Sequence, residues 1–269
     1  MIKKYADENT EILIFVITVI ILALFTAGMF LFAAIFNVDL TDAVHDVNFY
    51  LTSISGKIVL AVLIIFVLIQ FKMQSLMKPS SKELLKSFAI GWFCFVIPLA
   101  IFVTGFDYSR AGSIERGNWI LLLLYAGEML LAGITEEFLC RGFIYNAIFN
   151  KHNDVKKAVF ISAAIFGAAH IINLVHQTPV NTIFQIIFAF VGGVFFAAIY
   201  ARCKNIWALA LMHAFWNIGF GAAEILTPSE TVVESGILEQ VPMLIVLVFM
   251  LCMGMFLIRK KKLSPLLPQ

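Results

Sequence analysis

Two adjacent carboxylates, Glu136 and Glu137, lie inside a stretch that is otherwise apolar from Trp119 to Phe149, with Arg141 a turn further on. An ionisable side chain near a bilayer centre costs about 3 kcal/mol or more unless it is paired or faces a polar cavity, so it marks a functional site by default. Few other polar groups sit at such depth: Glu128, His170, Asn173, Gln185, His213, Asn217 and Glu224. A carboxylate beside an imidazole can hold and deprotonate a water. A second imidazole and an amide can donate hydrogen bonds to an oxygen that gains negative charge. Together these groups suit hydrolysis of a peptide bond by an activated water.

Spacing adds geometry. His213 and Asn217 are i,i+4 and share a helix face, as do Phe166 and His170. Glu137 and Arg141 are i,i+4 with the acid first, the order that pairs best within one helix. Glu136 points about 100° away from Glu137 and is free to face a cavity. One carboxylate and two imidazoles also make a catalytic zinc set with an open fourth position, which names Glu136, His170 and His213 as the ligands if a metal is bound. There is no H-E-x-x-H, and the three are far apart in the chain. No cofactor is favoured, and zinc is the candidate should there be one.

The elements that must position these residues are membrane helices. The chain of 269 residues is 61% apolar and 13% charged, where a soluble domain is nearer half and a quarter. The excess comes as long uninterrupted apolar blocks, which predict an all-α, polytopic bundle of about eight transmembrane helices forming one domain over 1–269. The spans fall at about 12–36, 58–76, 86–104, 119–149, 155–175, 182–201, 206–225 and 242–258. The first is too long for a signal-peptide core and reads as a retained span.

Between the first two, Val44, Val47, Leu51 and Ile54 recur at helical spacing with polar residues between, predicting a short amphipathic helix on the membrane surface. Pro98 predicts a kink in the third span. Ser80 with Glu83 reads as a capping box, and Asn118, Asn153 or Asp154, and Asn205 read as helix caps. The fourth span, at about 46 Å, exceeds the hydrocarbon thickness and must tilt or bend.

Basic residues cluster after the second, fourth and sixth spans and in the tail, so both termini are expected in the cytoplasm. Counted from those cytoplasmic ends, Glu136 lies roughly 22 Å in, His170 roughly 20 Å, and His213 and Asn217 roughly 12 and 18 Å. Three helices thus place their polar groups in one layer. The net charge of +2 gives no reason to expect nucleic acid. The four cysteines sit in or beside apolar runs with no C-x-x-C and read as buried small hydrophobes.

Three motifs carry a resemblance. Glu136-Glu137-Phe138-Leu139-Cys140-Arg141 matches E-E-x-x-x-R, Phe166 to His170 matches F-x-x-x-H, and His213 to Asn217 matches H-x-x-x-N. In this order they resemble the type II CAAX prenyl endopeptidase and bacteriocin-processing (CPBP, Abi) family of intramembrane proteases, over a catalytic core of about 119–220. The resemblance implies that Glu136 activates the water with His170 helping to orient it. It implies that His213 and Asn217 form the oxyanion site and that Glu137 and Arg141 brace the helix. Phe166 is expected to be cavity wall.

The family divides between metal-dependent and glutamate-based mechanisms; Asn217 beside His213 favours the metal-free one. The implied substrate is a peptide or membrane protein, lipidated in the prenyl-processing members, met among membrane lipids. A bacterial plasma membrane and a role in bacteriocin immunity or peptide maturation are the expected setting. Two other classes compete. A proton-coupled transporter would use the same groups as a relay, but no internal repeat is present. A non-enzymatic immunity or scaffold protein would keep the geometry without the activity.

Overall fold

The computed structural model describes residues 9–40, 46–78, 81–175, 177–228 and 241–259. Every element among them is helical. In chain order they are α1 (Thr10–Phe36), α2 (Val47–Gln70), α3 (Ser81–Ile90), α4 (Phe93–Gly105) and α5 (Arg116–Glu137). A π-helical segment (Phe138–Tyr145) follows, then α6 (Asn146–His152), α7 (Val155–Ala169), α8 (Pro179–Cys203), α9 (Ile206–Leu226) and α10 (Val241–Leu257). Short 3₁₀ turns lie at Gln74–Met77, Tyr108–Ser113 and His170–Val175.

Six helical runs among the described residues are long and apolar enough to cross a membrane, and a seventh if α3 and α4 count as one bent crossing. The chain is an integral, multi-pass membrane protein. α10 is apolar but shorter.

Three expectations are corrected. Val47–Gln70 is one continuous helix capped by Asp46, which accepts from the Phe49 amide at 2.8 Å. There is no separate surface helix over the described part of 39–55; Val44 and His45 lie outside the described residues. Asp46 and Asn48 at its start are exposed, while Thr52 and Ser53 are buried against the bundle.

Second, the bend in the third span is not at Pro98. It is a 57° break between Ile90 and Phe93, and Pro98 sits inside α4. There the proline packs on Gly219 of α9, where a Cβ would run into it. Third, Asn118 is not the N-cap of α5. Glu115 is, and Asn118 Oδ1 accepts from the Glu115 amide at 3.1 Å while its Nδ2 donates to Ile225 O.

Asp154 and Asn205 do cap α7 and α9, accepting from the amides of Lys156 and Ala208. Ser80 lies outside the described residues. The cysteines are free, with Cys94, Cys140 and Cys203 buried and Cys252 exposed.

The core is the C-terminal half. α5 lies along α9, α7 along α8, and α4 against α9. α8 and α9 are about three fifths buried over their apolar windows, while α1 is one sixth buried. α1 packs on α2 and touches α6, and α2 packs on α5, at the edge of the bundle.

Candidate active site

The site begins with a close approach. At Gly133 of α5 an added Cβ would collide with the Ala210 carbonyl oxygen of α9 and stand 3.1 Å from the Ala214 amide. Only glycine lets the two backbones touch there. One turn further along α5 come Glu136 and Glu137, and beside the contact on α9 comes His213.

His213 is 7% exposed and has a carboxylate on each side. Its Nδ1 lies 3.0 Å from Glu137 Oε1, and its Nε2 lies 3.6 Å from Glu136 Oε2. Glu137 accepts only, so Nδ1 carries the proton in that bond and Nε2 is the nitrogen left to face Glu136. The Phe196 ring stacks on the imidazole at 5.5 Å, and the Phe166 edge meets it at 5.8 Å.

Glu137 is fully enclosed and also accepts from Arg141 Nη1 at 3.0 Å. Arg141 Nη2 donates to Gly193 O of α8 at 2.8 Å, and the guanidinium lies over the Phe166 ring at 5.0 Å. The i,i+4 pair is therefore present as expected, but it does more than brace a helix, because the same Glu137 oxygen holds His213. Glu136 points elsewhere, with one third of its side chain exposed.

The expected α-helix through 149 is replaced by a π-helix after Glu137. Such a segment inserts a residue and loosens the regular ladder, and it is met most often at functional sites. Here side chains supply extra donors to its carbonyls. Ser162 donates to Cys140 O at 2.8 Å, and Asn146 donates to Arg141 O and Gly142 O at 2.6 and 3.0 Å. No sequence period announces this register change.

His170 ends α7 and is half-buried. Its Nδ1 pairs with Phe166 O at 2.9 Å, and Phe166 packs edge-on against its ring at 5.0 Å. Phe166 thus stands between the two histidines, a wall shared by both. No hydrogen bond joins His170 to Glu136 or His213.

Asn217 is half-buried one turn after His213 on α9, and its backbone carbonyl accepts from Tyr125 Oη at 2.7 Å. Among the described residues no three His, Cys, Asp or Glu side chains are gathered so that they could hold a metal ion. His213 Nδ1 pairs with Glu137 Oε1 and His170 Nδ1 with Phe166 O, so each imidazole keeps Nε2 for other partners.

Residues missed by sequence reasoning are Gly193, Phe196, Tyr125 and Lys57. Gly193 and Phe196 carry no signal among the many glycines and phenylalanines. Lys57 did carry one, since it is a charge just before the span expected from 58. It lies inside α2, where Lys57 Nζ meets Glu128 Oε1 at 2.7 Å and Ser53 Oγ donates to the same oxygen at 2.5 Å. That gives the isolated Glu128 its partner.

No curated protein and no solved structure matches the chain. Residues 117–219, from the first turn of α5 to Gly219 of α9 and including every residue of the three motifs, match the family described as type II CAAX prenyl endopeptidase Rce1-like.

Proposed function

We propose that the protein is an intramembrane endopeptidase in which Glu136 activates a water against a peptide carbonyl. The observation that carries this is His213 held between two carboxylates, at 3.0 Å from Glu137 and 3.6 Å from Glu136, with Asn217 one turn away. Glu136 takes a proton from water, and the hydroxide attacks the carbonyl carbon. His213, in its protonated form, donates from Nε2 to the forming oxyanion, and the Asn217 amide donates beside it. Glu136 then returns the proton to the departing amine, leaving a carboxylic acid and a free amine. His170, with Nδ1 turned to Phe166 O, offers Nε2 as an acceptor to orient the water.

Glu137 fixes the ring plane of His213, and Arg141 holds Glu137. No step runs through a metal, so cleavage is expected to survive strong chelators. The substrate is a peptide or membrane protein with a lipidated cysteine near its C-terminus. In this reading the chain crosses a bacterial plasma membrane eight times with both termini in the cytoplasm, and bacteriocin immunity or peptide maturation is its setting.

The test uses the full chain in liposomes with a fluorogenic farnesylated peptide. Glu136→Gln should lower the rate by about 10²- to 10⁴-fold, the usual worth of a general base. Cleavage by that variant at the wild-type rate would reject the assignment.

A further inference from the structure

Outside the motifs lies a second polar chain of contacts that ends on the site. Tyr125 is on α5, three turns before Glu136. Its hydroxyl donates to the backbone carbonyl of Asn217 at 2.7 Å. That carbonyl is already the helical acceptor for residue 221, so the phenol enters at one rung of α9. It can do so because residue 221 is glycine: a Cβ there would stand 2.5 Å from Tyr125 Oη and 2.7 Å from Cζ.

Behind Tyr125 stands α2. The Tyr50 ring, nearly enclosed, packs edge-on at 6.1 Å. One turn along on the two helices, Ser53 and Lys57 hold Glu128. Tyr50, Ser53 and Lys57 share one face of α2, and Tyr125 and Glu128 share one face of α5. A buried ion pair at this depth is costly to build, and its use is in fixing register.

We propose that Tyr125 is a positioning residue for the Asn217 amide, with Gly221 as the gap that admits it and Lys57–Glu128 as the lock that holds α5 in register behind it. The proposal rests on the oxyanion role given to Asn217 above. The contact is made to the backbone of one of the two residues whose side chains meet the oxyanion. Pulling that carbonyl toward α5 sets the angle at which the amide faces Glu136. Ordinary packing would need neither a hydroxyl at this rung nor a missing side chain opposite it.

The experiment measures kcat and KM of the reconstituted full chain on the farnesylated peptide. Tyr125→Phe should lower kcat about tenfold with KM within about twofold, a part of the 10²- to 10³-fold worth of an oxyanion donor. Gly221→Ala, which pushes the ring out by another route, should do the same. Tyr125→Phe added to Asn217→Ala should cost nothing more, because the two act as a unit. Wild-type kcat in Tyr125→Phe, or a full multiplicative loss in the double variant, would overturn the proposal.

Cleavage by wild type and its loss in Glu136→Gln report on the protease reading separately. Hydrogen exchange over residues 213–221 supplies a readout free of activity. It should speed up in Tyr125→Phe and not elsewhere in α9, and unchanged exchange there also overturns the proposal.

Discussion

Glu137–Arg141 and Lys57–Glu128 are both ion pairs at membrane depth, but they are built in opposite ways. The first joins two residues one turn apart on the same helical run and is fully enclosed. The second bridges α5 and α2 and keeps 14% and 9% of its side chains exposed. An intrahelical pair needs no partner helix to form it. Glu137 can then give the same oxygen to His213 on α9, so the pair is joined to the candidate site. An interhelical pair uses its geometry in docking, and Glu128 has Lys57 and Ser53 on one oxygen with no imidazole near. Enclosure and connection therefore run together: the more deeply buried pair is the one joined to the candidate site.

The comparison breaks hardest at Glu137. Glu137→Gln keeps the shape but leaves Arg141 a buried, unpaired cation, which should cost about 3–5 kcal/mol. It also releases His213 Nδ1, so cleavage should fall by about 10²-fold or more. Thermal unfolding and peptide cleavage read the two effects. Replacing both partners, Glu137→Leu with Arg141→Met, sharpens the point: stability should largely return and activity should not. Activity in that double variant would show that the inner pair is only scaffold.

At the outer pair, Lys57→Met alone should destabilise by about 3 kcal/mol, since it strands Glu128. Lys57→Met with Glu128→Leu should regain most of that loss and keep measurable cleavage. If the outer double variant were as dead as the inner one, the division of roles would fail.

The same contrast explains what could be read in advance. Charges and imidazoles inside apolar runs are legible because the bilayer makes them expensive, and that is why Glu136, Glu137, Arg141, His170, His213 and Asn217 could be picked out together. The structure brings Glu136, Glu137 and His213 into contact and reaches His170 only through the Phe166 ring. Lys57 escaped because it lies at the end of an apolar block, where snorkelling to the surface is the ordinary reading. The π-helix escaped for another reason: its carbonyls find their extra donors on Ser162 and Asn146, and local periodicity holds no trace of either contact. The break near Gly91 was placed at Pro98 because proline is the visible breaker, whereas a gap on α9 at Gly219 lets that proline stay in a helix.

A middle-sized effect is expected at the helix contact below the inner pair. Gly133→Ala places a methyl against the Ala210 carbonyl, a backbone atom that cannot turn aside. α5 and α9 must part, at about 1–3 kcal/mol by analogy with overpacked cores. Glu136 and His213 would then separate beyond 3.6 Å, so cleavage should drop more than stability does. Equal losses in unfolding and in rate would mean that the contact matters to folding alone.

The smallest effect belongs to a third ion cluster, at the end of the bundle. Glu11 of α1 meets Lys151 Nζ and His152 Nε2, each at 2.5 Å. The geometry is as close as in the two inner pairs, yet 41% of the Glu11 side chain is exposed. Water and salt screen such a contact, so Glu11→Gln should change stability by less than about 1 kcal/mol and leave kcat within about twofold. Short distance and large effect would then be separated by solvent exposure alone. A loss of several kcal/mol in Glu11→Gln, measured by thermal unfolding at moderate salt, would show that α1 docks through this cluster and that burial is not what ranks the three pairs.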